Sequence, residues 1–236
     1  MKRNQSGFTL IEIAIVLVII GLLLGGVLKG QELINSARVK NLATDFKNIP
    51  VFIYGYQDRF KALPGDQPQA ALDLQFPPAG TAAAATTVAT LGNGVINGNW
   101  NDISTASESY VFWQHVRLAG LAPGVTIIPA APAHGDGYLP QNAAGGEIGV
   151  QSGTTDPAKS PINAAAGANP IRGSYVICST GILGRFVRQL DLQMDDGNTA
   201  GGSMMAGVAT PAGTPMTAVA TNLIDDAAPY VVCMGI

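Results

Sequence analysis

Residues 6–28 read Ser-Gly-Phe-Thr-Leu-Ile-Glu-Ile-Ala-Ile-Val-Leu-Val-Ile-Ile-Gly-Leu-Leu-Leu-Gly-Gly-Val-Leu, and this run decides how the chain must fold. From Phe8 to Leu28 it carries a single charge, Glu12. As a helix, those residues reach about 31 Å, which matches the hydrocarbon core of a bilayer. The preceding polar start holds Lys2 and Arg3 and no acidic residue, so a spanning helix is oriented with its N-terminus in the cytoplasm and the rest of the chain outside. A secretory signal peptide fits poorly. Its apolar core is shorter and ends at a small-residue cleavage site, and no Ala-x-Ala closes this run.

Glu12 argues against a plain single-pass anchor. A carboxylate in mid-membrane costs about 2.5–3.5 kcal/mol on insertion scales and is normally retained for a function. No Lys, Arg or His lies between residues 4 and 28, so a counter-charge must come from another chain, from a new terminus or from water. The run Ser6-Gly7-Phe8-Thr9-Leu10-Ile11-Glu12, followed by an unbroken apolar helix, closely resembles the class III signal of type IV pilins and type II secretion pseudopilins. The resemblance covers about the first 30 residues. It implies cleavage after Gly7 by a prepilin peptidase, methylation of the new N-terminal Phe8, and pairing of Glu12 with the N-terminal amine of a neighbouring subunit. Cleavage would thus create the cation that the sequence itself lacks at that depth. The implied partners are other pilin or pseudopilin subunits, the peptidase, an inner-membrane assembly platform and, before assembly, membrane lipid. The implied location is the bacterial inner membrane, followed by a periplasmic or cell-surface filament.

Removing Lys2 and Arg3 from 13 basic residues leaves 11 against 16 acidic ones, a net of −5. Gly21 with Gly25, and Gly26 with Gly30, repeat the small-xxx-small spacing that lets helices approach closely, although glycine is also frequent in spanning helices generally. Many pilins have a proline where Lys29 stands here. Local melting of the helix on assembly would then depend on Gly21, Gly25 and Gly26.

Beyond the membrane, Leu42, Phe46, Ile49, Ile53, Tyr56 and Phe60 are spaced 4, 3, 4, 3 and 4, one apolar helix face. Pro50 is expected to kink or locally break this helix. Leu63-Pro64-Gly65-Asp66 suits a type II turn. The expected organisation is a leader at 1–7, a transmembrane and assembly helix at 8–28, its amphipathic continuation at 29–61, and an extracytoplasmic pilin-like globular domain at 62–236.

Within that domain, residues 77–91 are Ala/Thr-rich without period, and residues 92–102 are Gly/Asn-rich and favour turns. A second helix is expected over 104–121, capped by Ser104 or Ser107, and a long loop region over 122–170. Strand patterns are read at 173–178, 186–194 and 230–234. The fold class is therefore α+β: a long N-terminal helix, half transmembrane and half amphipathic, packed on a small antiparallel β-sheet with long loops.

Cys178 and Cys233 fall in two of these strands. Outside the cytoplasm a lone pair is expected to form a disulfide, and closing a loop of about 56 residues stabilises by about 4 kcal/mol in the chain-entropy model. Many pilins close a C-terminal loop in the same way. Asp195-Asp196-Gly197-Asn198 groups carboxylates around a turn, a composition that can bind a hard cation such as calcium. Some pseudopilins hold calcium in a C-terminal loop. The spacing is not that of an EF-hand, however, and the run reads more simply as a solvated turn, so no resident cofactor is assigned. His115 sits in an apolar segment and His134 in a Gly/Pro loop with no nucleophile motif nearby, so no catalytic role is expected.

Charged residues make up 12% of the chain, about half the usual share, and the formal charge is −3. Together with the sparse basic residues after residue 61, this argues against a nucleic-acid partner. The expected function is a structural filament subunit of a type IV pilus or type II secretion pseudopilus. A mature length of 229 residues, 236 less the leader, and the long loops favour a minor subunit. The competing class is a membrane-tethered ectodomain with a binding role, in adhesion or in capture of DNA or a ligand.

Overall fold

In the computed structural model, residues 10–76, 91–164 and 169–236 are described. The chain divides into two compact units, Met1–Arg38 and Val39–Ile236. In the first unit the described residues are all helical, the opening part of α1 (Leu10–Phe60). The second unit holds the remainder of α1, then α2 (Gln69–Gln75), α3 (Glu108–Leu118), β1 (Ile148–Ser152), β2 (Ile162–Asn163), β3 (Tyr175–Leu183), α4 (Gly184–Met194), β4 (Met204–Gly207), β5 (Met216–Thr217), a single 3-10 turn at Thr221–Leu223, and β6 (Pro229–Gly235).

The α+β class holds: a long N-terminal helix accompanies a four-stranded antiparallel sheet of order β1-β3-β6-β4, with β2 and β5 paired in parallel as a separate two-stranded ribbon. In the second unit, α1 buries Val39, Leu42, Ala43, Phe46, Ile49, Ile53 and Tyr56, the face expected from the 4-3 spacing. Each large side chain so buried contributes about 1.5–3 kcal/mol before entropy is counted. Pro50 does not interrupt α1. It forfeits one backbone hydrogen bond at a half-exposed position, while Phe46 and Ile49 before it and Ile53 and Tyr56 after it are held in the same core.

The sheet is covered on both faces, and its register shows how. Val150, Ile177, Met234 and Met204 form one cross-strand row, and with Ile148, Val232 and Ala206 they face the core built by α1, α3 and α4. The adjacent row, Gly149, Cys178, Cys233 and Met205, points the other way. There Cys178, Cys233 and Met205 pack with Trp100, Ile162, Ile171, Met216 and Ala218.

Several sequence expectations are corrected here. Residues 186–194 belong to α4 and not to a strand: within them Phe186, Val187, Leu190 and Asp191 are buried, the i, i+1, i+4, i+5 pattern of a helix face. The region 122–170 is not loop throughout, because it contains β1 and β2. β1 escaped notice because Gly149 breaks its apolar pattern. A Cβ there would stand 1.8 Å from the Trp100 carbonyl oxygen, so the strand leaves room for a crossing backbone. The second helix is shorter than expected, Glu108–Leu118, with Ser107 at its N-cap position but without a side-chain capping bond. The type II turn is present: Asp66 N–H donates to the Leu63 carbonyl at 3.3 Å and Gly65 has φ +92°. It lies between the end of α1 at Phe60 and the short α2. Of the aperiodic stretch 77–91, residues 77–90 lie outside the described residues.

Candidate functional site

Glu12 lies close to the start of the described part of α1. Around it, every described residue to Lys29 is solvent-exposed, including Leu10, Ile11, Ile13, Ile15, Leu17 and Leu22 to Leu24. A helix this apolar and this uncovered is long enough to cross a membrane. Cβ atoms built at Gly21, Gly25, Gly26 and Gly30 would meet nothing within 4 Å, so those positions leave the helix surface open to close approach. The ion pair between Lys29 and Glu32, 2.7 Å apart and largely exposed, marks where the apolar surface gives way to polar helix. Gly7 and Phe8, at the expected cleavage point, lie outside the described residues.

Cys178 and Cys233 are joined by a disulfide with an S–S distance of 2.05 Å, and they are direct register partners on β3 and β6. Asp195 and Asp196 follow α4 directly. One Asp195 oxygen accepts the backbone N–H groups of Ser203 (2.7 Å) and Met204 (2.8 Å), and Asp196 Oδ1 accepts that of Asn198 (2.9 Å). Both carboxylates are therefore engaged in shaping the loop. Among the described residues no group of three or more His, Cys, Asp or Glu is placed to hold a metal ion.

Near them Asp191 is 1% exposed, and neither of its carboxylate oxygens has a hydrogen-bond partner. Burial, reinforced by the negative charges of Asp195 and Asp196, pushes its pKa up to about 6. The Gly197 N–H offsets this in part without reaching hydrogen-bond geometry. Nothing in the local sequence marks Asp191 for burial; the packing of α4 does.

Both histidines are engaged with neighbouring groups. His115 is fully buried, and its Nδ1 accepts the Gly65 N–H at 2.9 Å. His134 Nδ1 lies 2.6 Å from Glu147, whose other oxygen accepts the Gly135 N–H. Two buried charged groups were not singled out from the sequence. Arg117 donates to the carbonyls of Pro123 (3.1 Å), Val125 (3.0 Å) and Tyr138 (2.7 Å), and so fastens the loop after α3. Glu108 accepts the Asn97 N–H at 2.7 Å, and burial holds its carboxyl above the usual range.

The family model of the prokaryotic N-terminal methylation motif matches residues 2–28, the signal of type IV pilins and pseudopilins. Comparison with curated proteins and with solved structures gave no match. The motif supports a type IV pilin-like precursor, a structural rather than enzymatic kind of protein. It implies processing by prepilin peptidase and assembly with other pilin subunits, and with the apolar helix it points to membrane anchoring.

Proposed function

We propose that the chain is a structural subunit of a type IV pilus or type II secretion pseudopilus. Prepilin peptidase cuts it after Gly7 and methylates Phe8. Residues 8–28 hold it in the bacterial inner membrane, N-terminus inside, until an assembly platform extracts it into a filament. Residues 62–236, with the helix segment 29–61 before them, stand outside the cytoplasm. Glu12 pairs with the Phe8 amine of a neighbouring subunit and so offsets the cost of a carboxylate in lipid. The observation that carries this reading is the methylation motif at residues 2–28, set on a helix whose apolar surface from Leu10 onward is bare. The long loops favour a minor subunit.

The cleavage step is tested by Gly7→Leu in cells that contain the peptidase. Intact mass should show wild type shortened by seven residues and carrying one methyl group, and the variant uncut. A wild-type mass equal to that of the full chain would overturn the proposal.

A further inference from the structure

The charges of this chain are segregated. Residues 29–61 hold six basic and three acidic side chains, whereas residues 62–236 hold five basic and twelve acidic. Two of the six basic residues, Lys40 and Lys47, share one face of α1. Lys40, Thr44, Lys47, Val51, Tyr54 and Asp58 follow one another at spacings of 4, 3, 4, 3 and 4, and all six are exposed. This is the reverse side of the buried stripe. Lys40 and Lys47 form no ion pair among the described residues, and Val51 and Tyr54 are 63% and 52% exposed. The outer face thus presents two ammonium groups beside two bare apolar side chains.

The opposite composition occurs at the end of α4. No Lys or Arg follows Arg188, which pairs with Asp226, so the carboxylates of Asp191, Asp195 and Asp196 are uncompensated by any later residue. Asp191 is the informative member: it is buried, its oxygens are unpartnered, and it feels the charges of both its neighbours. Two exposed leucines adjoin them. Leu192 is 73% exposed on α4, and Leu223 is 69% exposed on the 3-10 turn, which Thr221 ties to the loop by accepting the Thr199 N–H and donating to the Gly197 carbonyl. A divalent ion needs six or more oxygens, and Asp195 and Asp196 have already committed oxygens to the backbone. An ammonium group needs only one or two.

We propose that Lys40 and Lys47 of one copy dock on the Asp195–Asp196 turn that follows α4 in the next copy, where the buried charge of Asp191 adds to the negative field, with Val51 and Tyr54 covering Leu192 and Leu223. This rests on the filament reading and names one of its interfaces. The two surfaces differ, so the contact is heterologous; repeated, it extends an open helical assembly instead of closing a dimer. Opposite charges fix its register and disfavour the reversed pairing.

The test uses sheared filaments of the full chain treated with a carbodiimide, which joins lysines to carboxylates that touch. Peptide mapping should find Lys40 or Lys47 linked to Asp195 or Asp196 in the dimer band of a denaturing gel and not in the monomer band. Lys47→Glu and Asp196→Lys should each cut filament yield at least tenfold without changing the melting temperature, and the two together in one chain should restore it. Filaments whose dimer band lacks these links, or a double variant no better than the singles, would overturn the interface while leaving the filament reading intact. Wild-type cells without filaments would overturn both.

Discussion

Cys178 and Cys233 stand directly opposite each other on β3 and β6, with Cα atoms 4.0 Å apart, so the disulfide crosses one rung of the sheet instead of tying down a loose tail. So close an approach belongs to the non-hydrogen-bonded kind of antiparallel pair, in which side chains come nearest. Replacing both residues by alanine removes a closure spanning 55 positions, for a loss of about 4 kcal/mol. Calorimetry of the full chain in detergent should show the melting temperature of the globular unit lowered by about 10 °C. An unchanged melting temperature would mean that the unfolded chain is already as restricted without the bond.

Gly149 in the same cross-strand row makes a second prediction. Alanine there puts a methyl group into the Trp100 carbonyl and forces β1 and the 99–102 turn apart. Gly149→Ala should cost about 1–3 kcal/mol as an overpacked position. Gly92→Ala is the comparison: its Cβ would meet nothing, so any loss there comes from its positive φ of 78°. Equal stability of Gly149→Ala and wild type would contradict the crossing.

Arg117 predicts a loss confined to one loop. Arg117→Met leaves three carbonyls without their donor and should destabilise by about 3 kcal/mol, with new proteolytic cuts between residues 119 and 138. Arg117→Lys should recover little, because one ammonium cannot reproduce a planar fork spread over Pro123, Val125 and Tyr138. Full rescue by lysine would show that charge alone holds the loop.

Asp191 sets a pH dependence. Its pKa rises from the ordinary 3.8 to about 6 in the folded chain, so the folded state binds more protons than the unfolded one between those values. Stability therefore falls as pH rises from about 4 to about 6 and levels off above that. Asp191→Asn removes the effect: the variant should match wild type near pH 4 and melt several degrees higher above pH 6.5. A variant less stable than wild type at pH 7.5 would show that the carboxylate has a partner after all.

How much of this could be read in the sequence depended on how each feature is encoded. The apolar run after Phe8 and the 4-3 stripe from Leu42 to Tyr56 are long and periodic, and they were legible as one helix with two environments. The disulfide was expected from two cysteines in strand patterns of a segment read as extracytoplasmic. The sheet was harder to see. β1 is punctuated by Gly149, which answers to the Trp100 backbone 49 positions earlier in the chain, and β4 is four residues of Met204-Met205-Ala206-Gly207 without β-branching. In α4, Phe186, Val187 and Leu190 lie between polar residues closely enough to imitate alternation, and only their packing against the sheet distinguishes a helix. Asp191 and Arg117 were invisible as special positions for the same reason, since burial of a charged side chain is a property of the surrounding fold and not of its local sequence.

Glu12, in the proposed filament, serves assembly. Glu12→Ala and wild type, expressed in the same cells, should both be processed to the shortened, methylated chain and both enter the membrane. Counting sheared filaments by electron microscopy, the account predicts abundant filaments from wild type and almost none from Glu12→Ala. Equal numbers from the two would contradict it.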